Sequence, residues 1–351
     1  MWKRRLAASE RKAIPLMHIV FAADQAYVRQ LLVASGSAVY AARGGTEPIS
    51  VHVLDCGIED AAWTDYAARI AQLAERAQVA VEVVRHVIDM KQFENLDGWT
   101  NGSKAIWARI LIPDLLPDVD RCVYSDCDIL FIHDPVEMLE SLESPGVVLA
   151  GHHEPLCEEG YDETDWLRER GLPFDAATHL CSGLLAMNLD AFRREGLVEK
   201  CLAFGNRYRG IPFPDQTTLN SVCFGRRALL PEGWGLFTHE CHSFNGCIRA
   251  IHFSGGMPWT NRINAFRVVF LRLSREECSI WRDFETRILG VSPSSAGAST
   301  LRQNVLATAL LLGARLTNLL GIKIGHAQLQ RYVAAYDGGS SALAAVRRDL
   351  L

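Results

Sequence analysis

Several features that would place a chain of this length in a familiar class are missing. Its ten cysteines, at 56, 122, 127, 157, 181, 201, 223, 241, 247 and 278, contain no Cys-x-x-Cys pair, so the spacing that builds a zinc knuckle is absent. Several of them lie in apolar, strand-like runs, where a free thiol behaves as a small hydrophobe. A reducing, cytoplasmic setting is therefore expected. There is no excess of basic charge either. Thirty-six Lys and Arg against 41 Asp and Glu give a net charge of −5, which argues against a dedicated nucleic-acid surface. No signal-peptide core is found, because Asp24 interrupts the first apolar run. Residues 1–16, with Lys3, Arg4, Arg5, Arg11 and Lys12, are expected to form a basic N-terminal tail. The most apolar stretch, Leu301 to Ile324, contains Arg315 and Asn318 and is broken at Gly313 and Gly321. It is expected to be an amphipathic helix rather than a membrane span. Such a helix packs on the domain core or on another subunit, or else lies on a membrane surface. No internal repeat is visible.

What is present is a chain that is 49% hydrophobic and 22% charged over 351 residues, enough for one large α/β domain with an extension. Met17 to Ala23 is an apolar run of the kind buried in parallel sheets. A helix is expected from Gln25 to about Ala42, stopped by Gly44-Gly45. Ile49 to Leu54 and Val79 to His86 read as strands. Between them, Ala62, Tyr66, Ile70 and Leu73 give the stretch from Ala61 to Ala77 helical spacing. Lys104 to Leu116 reads as a helix cut by Pro113. Arg121 to Tyr124 and Leu184 to Asn188 complete the strands of this half. The βαβα rhythm predicts an open, mostly parallel, Rossmann-like sheet flanked by helices, and ligands of such sheets bind beyond the carboxyl ends of the strands. The expected division is a tail at 1–16, a catalytic domain at 17–290, a Ser/Ala/Gly-rich linker from Ser292 to Ser299, and a helical C-terminal extension at 300–351.

Three clusters of chemistry-bearing residues fall at such strand ends. The first is Asp126-Cys127-Asp128, between Arg121-Cys122-Val123-Tyr124 and Ile129-Leu130-Phe131-Ile132. Two carboxylates two residues apart can grip one divalent cation while leaving room for substrate phosphates. Two charges set inside an apolar stretch are costly unless something satisfies them. The second cluster is His252-Phe253-Ser254-Gly255-Gly256-Met257-Pro258-Trp259. An imidazole added to the carboxylates suits Mn²⁺ as well as Mg²⁺, and the glycines allow backbone to approach a phosphate. The third is Pro214-Asp215-Gln216-Thr217-Thr218-Leu219-Asn220. Here Asp215 either caps a helix or, with the Gln216 amide, holds sugar hydroxyls.

In this order the motifs resemble those of the retaining glycosyltransferases of family 8, which include the lipopolysaccharide galactosyl- and glucosyltransferases and glycogenin. The resemblance runs from about His18 to Trp259. It includes Ile19-Val20-Phe21-Ala22-Ala23-Asp24, His52-Val53-Leu54-Asp55, Ala108-Arg109-Ile110 and Ser182-Gly183-Leu184-Leu185-Ala186-Met187-Asn188 beside the three clusters. It implies a GT-A fold, a UDP-sugar donor, Mn²⁺ or Mg²⁺, and retention of configuration. By position, it implies that Ala22 and Asp24 hold the uridine end and that Arg109 reaches the donor sugar or diphosphate. It further implies that Asp126, Asp128 and His252 bind the metal, with Cys127 beside the donor, and that Asp215 and Gln216 meet the sugar near the reacting carbon. Gly255 would meet the phosphate.

The implied activity is transfer of galactose or glucose to a glycan or glycolipid acceptor, in bacterial envelope (lipopolysaccharide) synthesis, by a cytoplasmic protein with a peripheral membrane contact through its C-terminal helices. The stretch from Glu154 to His179, with His152, His153, Trp166 and His179, is the expected acceptor side. Three departures stand out. The family usually reads His-x-x-Gly-x-x-Lys-Pro-Trp; this turn is one residue shorter and has Met257 in place of the lysine. Cys181 stands where the family often has Asn, and Ala26 where a polar contact is common. These departures keep open the alternative of a degenerate member that binds nucleotide-sugar without turnover, as a partner subunit. A sugar-1-phosphate nucleotidyltransferase is disfavoured, because Ala22-Ala23-Asp24-Gln25 is not the Gly-rich, basic loop that such enzymes carry after their first strand.

Overall fold

Buried apolar strands organise the chain, and the order in which they pair explains where the polar motifs end up. The structure, a computed structural model, describes residues 17–45, 47–99, 102–154, 162–254, 257–260, 264–295, 297–319, 333–336 and 342–351. The basic tail and Gly255 lie outside the described residues.

The main sheet is built from β1 (Met17–Ala23), β2 (Ile49–Asp55), β3 (Val81–Val87), β4 (Arg121–Ser125), β6 (Leu149–His153), β7 (Leu180–Asn188) and β8 (Arg227–Leu229). Its seven strands run in the order β3-β2-β1-β4-β7-β6-β8. The first four neighbours pair in parallel. β7 pairs antiparallel with both β4 and β6, and β6 then pairs in parallel with β8. A second sheet of β5 (Ile129–Phe131), β9 (Leu236–Phe237) and β10 (Ala250–His252) has β10 in the middle. The strands expected from sequence are all present, with ends shifted by a few residues. The reversal of β7 was not part of that expectation.

β1 lies inside the sheet and is covered on both faces. Ile19 and Phe21 face one core with Val51 and Val53, while Val20 faces another with Leu54, Tyr124 and Trp107. This double burial explains the continuous apolar run. Helix α1 (Val28–Ala41) and helix α2 (Asp60–Ala77) cover the first face. On α2 the predicted Tyr66, Ile70 and Leu73 are buried. Pro113 does not cut a helix. A 3₁₀ segment, Ala105–Leu111, gives way to α3 (Ile112–Leu115), where the proline sits in the first turn, a position with no internal N–H bond to lose.

The remaining helices are α4 (Asp162–Glu169), α5 (Leu189–Arg194), α6 (Leu197–Arg207), α7 (Pro214–Val222), α8 (Thr238–Ser243), α9 (Ala265–Leu273), α10 (Arg275–Asp283), α11 (Leu301–Leu319) and α12 (Ala342–Leu350). Gly313 lies inside α11 and does not end it. α11 packs along α9 through Ala307 and Ala314. α12 returns to the main core through Leu343, Val346 and Leu350, and Arg347 pairs with Asp283 at 2.7 Å. No helix of the described residues is long and apolar enough to cross a membrane.

Across three neighbouring strands, His18, His52 and His86 form a ladder. His18 Nδ1 is 3.0 Å from His52 Nε2, and His52 Nδ1 is 3.0 Å from His86 Nε2. Burial, and then the two flanking imidazoles, hold His52 down at a pKa of about 3.

Candidate active site

The carboxyl ends of β1 and β4, the beginning of β7 and the end of β10 converge on one cleft of about 260 Å³. β4 ends at Ser125, so Asp126 is the first residue off the strand, and its N–H donates to the Gly183 carbonyl of β7 at 2.7 Å. Asp128 immediately precedes β5, and its carbonyl accepts from Phe253 N–H at 2.8 Å. The antiparallel β5–β10 ladder sets His252 opposite Ile129. In this way two short ladders bring residues about 125 positions apart in sequence onto one point.

One ligand atom from each of Asp126, Asp128 and His252 lies within 4.8 Å of the others. His252 Nε2 is 3.3 Å from Asp128 Oδ1. Phe237 stacks on the imidazole at 4.9 Å, and Cys181 Sγ lies 3.9 Å from Nδ1. Burial alone would raise the pKa of Asp128, but the adjacent His252 holds it below the usual range. Against burial, Asp128 in turn holds the imidazolium well above its ordinary value. Asp126 is pushed up to about 6, first by burial and then by the Asp128 charge, while Arg109 opposes the shift. Two carboxylates and an imidazole set this close together suit a divalent cation. Backbone also makes room for the pocket: a Cβ on Gly183 would fall 2.7 Å from His252 Cε1 and 3.2 Å from Asp126 Oδ2. The three donors and the glycine wall fit a hard or borderline metal ion.

Behind the triad, Arg109 is buried. Its Nη2 donates to Asp126 Oδ1 at 2.8 Å, its Nη1 lies 3.0 Å from Asp215 Oδ2, and it also donates to the Ser182 carbonyl at 2.7 Å. Tyr124 O–H donates to the same Asp126 oxygen at 2.6 Å. Asp215 is not the helix cap; Phe213 holds that position. Asp215 Oδ2 instead accepts from Ser182 Oγ at 2.8 Å. The next side chain, Gln216, accepts from Ser182 N–H through Oε1 at 3.2 Å. Asp24 caps the turn after β1 by accepting from Ala26 N–H at 3.0 Å.

Ala22, Asp24, Arg109, Asp126, Cys127, Asp128, Asp215, Gln216 and His252 all line this cleft. Sequence reading had not singled out Tyr27, Trp99, Phe213 and Phe237, which also line it. Of these, only Phe213 stands next to a motif, directly before Pro214-Asp215-Gln216; Tyr27, Trp99 and Phe237 belong to none. On the expected acceptor side, Glu154 reaches the cleft, and Met257 of the glycine turn lines it as well. Trp166 and His179 are buried instead, so neither presents a ring face to an acceptor. His152 pairs with Glu240 at 2.9 Å.

A mostly parallel sheet whose strand ends carry an Asp-x-Asp pair opposed by an imidazole defines a glycosyltransferase of the GT-A type. The model of glycosyl transferase family 8 matches residues 18–262, and the chain belongs to that family. Among curated relatives, General stress protein A of Bacillus subtilis (strain 168) is 26% identical over 235 residues, covering 64% of this chain and 75% of the relative. Glycosyltransferase GlyB of Streptococcus pneumoniae serotype 4 is 25% identical over 197 residues, covering 52% of this chain and 43% of its own length. Among solved structures, the galactosyltransferase LgtC, in complex with donor and acceptor sugar analogs, superposes with a TM-score of 0.58. Its sequence identity is 21%, and the match covers 74% of this chain and 95% of that one.

Proposed function

We propose that this chain is a metal-dependent, retaining hexosyltransferase that moves galactose or glucose from a UDP-sugar to a glycan or glycolipid acceptor in bacterial envelope synthesis. The observation that carries this reading is the convergence of Asp126, Asp128 and His252 within 4.8 Å, backed by Arg109, Asp215 and Gln216 in the same cleft. When bound there, Mn²⁺ or Mg²⁺ would neutralise charge developing on the departing diphosphate. Asp24 and Ala22 lie at the β1 end, where the uridine is expected. Met257 presents a thioether to the cleft where the family has an ammonium group. Arg109 lines the same cleft, but two carboxylates already neutralise it, so the electrostatic demand on the metal triad is greater.

The geometry also bears on stereochemistry. An amide is a poor nucleophile, which argues against Gln216 in a covalent route. Asp215 Oδ2 is engaged by both Arg109 and Ser182. Both facts support a front-face reaction in which the leaving phosphate takes the acceptor proton.

The C-terminal region supports a peripheral site of action on the inner face of the membrane. From Thr286 to Tyr336 there is no Asp or Glu, against Arg287, Arg302, Arg315, Lys323 and Arg331. On α11, Leu301, Val305, Leu312, Leu316 and Leu319 are exposed and fall on one side of the helix. An apolar stripe in a carboxylate-free, basic region matches an anionic lipid surface.

The test is Mn²⁺-dependent UDP release from a panel of UDP-sugars, comparing wild type with Asp126→Asn. Hydrolysis of one donor that the variant loses is expected. Metal-dependent UDP binding with no turnover, with or without acceptor, would favour the degenerate reading. Failure to bind UDP would refute the proposal.

A further inference from the structure

Gln216 has two ends, and sterically its amide fits either way round. The surrounding network chooses between them. Ser182 N–H can only donate and lies 3.2 Å from Oε1; Glu163 Oε2 accepts from Nε2 at 3.0 Å. Turning the amide over would set an N–H against an N–H and an oxygen against a carboxylate.

Glu163 is completely buried and is not part of the cleft wall. A buried carboxylate is costly unless hydrogen bonds and charge compensate it. Here Oε1 accepts from Thr217 Oγ1 at 2.6 Å and lies 3.2 Å from His179 Nε2. The helix that carries it, α4, is anchored one turn later. Trp166 and Leu167 pack with Ile211, and the Trp166 ring meets Tyr208 at 5.6 Å and Phe204 at 6.4 Å. Both Glu163 and its partner His179 come from the stretch expected to face the acceptor; the fold turns them behind the catalytic helix α7.

We infer that Glu163 is a positioning residue that locks the Gln216 amide with its oxygen on the Ser182 side. That oxygen is thereby held at Ser182, whose hydroxyl and carbonyl bind Asp215 and Arg109, in the cleft to which the proposed function assigns the donor, and the inference rests on that reading for its effect on rate. Glu163→Gln keeps the shape of the side chain but cannot accept at both ends. If the substituted amide still accepts from Thr217, it turns an N–H toward Gln216 and drives that amide over.

The experiment uses the full chain, Mn²⁺ and the UDP-sugar found to be hydrolysed. Glu163→Gln should lower kcat about 10- to 100-fold, as loss of a supporting shell does, with KM for the donor changed less than about threefold. Glu163→Asp, which keeps the carboxylate, should recover part of the rate. In a Gln216→Ala background the same Glu163→Gln change should cost less than about twofold, because its only route to the chemistry is gone. Equal losses in both backgrounds, or a wild-type kcat in Glu163→Gln, would overturn the inference. A second readout needs neither turnover nor a change at Glu163. In ¹⁵N-labelled wild type, the Gln216 side-chain amide, assigned by its loss in Gln216→Ala, should show one proton shifted downfield and slow to exchange. A solvent-like amide pair would overturn the inference. If no donor is turned over by wild type, the proposed function fails, and this spectrum still decides whether Glu163 holds the amide.

Discussion

Adding one methyl group to Gly183 should uncouple metal binding from folding. The new Cβ would lie 2.7 Å from His252 Cε1, against about 3.5–4.0 Å for carbons at contact. The imidazole must therefore retreat by on the order of 1 Å. It has little freedom to do so, being stacked on Phe237 and set between Asp128 and Cys181. A functional constellation tolerates about 0.5 Å of displacement, so the Mn²⁺ dissociation constant should rise roughly 10- to 100-fold. Donor hydrolysis should fall about 100-fold, the scale of a 1 Å misplacement. Gly183 is not among the positive-φ glycines, so alanine brings no backbone strain there, and the effect is steric.

The control is Gly205→Ala on α6, whose Cβ would meet Trp107 Cη2 at 2.5 Å in the core. That change should destabilise the fold by about 1–3 kcal/mol through overpacking and leave metal affinity intact. Free Mn²⁺ counted by electron paramagnetic resonance in the presence of UDP, beside thermal unfolding of both variants, separates the two effects. If Gly183→Ala binds Mn²⁺ as wild type does, the assignment of Asp126, Asp128 and His252 as one metal site is wrong.

Three further predictions concern other parts of the molecule. Arg109→Ala leaves Asp126 and Asp215 without their buried cation, which should cost about 3–5 kcal/mol. This should lower the unfolding temperature by about 4–7 °C; a fall under about 2 °C would contradict it. His52, held neutral with a folded pKa of about 3, binds a proton in the unfolded chain near pH 6.5. The unfolded state therefore takes up the extra proton as pH falls from about 6.5 toward 3. Stability is full above that window and is lost through it, by up to about 1.4 kcal/mol per pH unit. Urea midpoints between pH 7 and 5 should drop more steeply in wild type than in His52→Gln, and parallel curves would refute this. Finally, the full chain should cosediment with phosphatidylglycerol vesicles and not with phosphatidylcholine vesicles. Leu312→Glu with Leu316→Glu should abolish the binding, and equal behaviour of wild type and variant would remove the case for α11 as a lipid-facing element.

The amino-acid sequence alone encodes the strand–helix rhythm, because β1 buries both faces and must read as a continuous apolar run, while Tyr66, Ile70 and Leu73 mark the buried stripe of α2. It also located the acidic pair, since carboxylates abutting such a run call for an explanation that an exposed turn does not. Other features are set by pairing between distant strands. The reversal of β7 places Ser182 and Gly183 beside Asp126, and the β5–β10 ladder delivers His252 to Asp128. Three-dimensional packing alone made Asp215 the partner of an ion pair rather than a helix cap, and turned Trp166 and His179 inward. It likewise decided that Glu163, a residue with no motif around it, ends beneath Gln216. Local sequence records what each segment must bury. Which segments then share a dielectric interior, and so satisfy one another's charges, is fixed by how the strands come together.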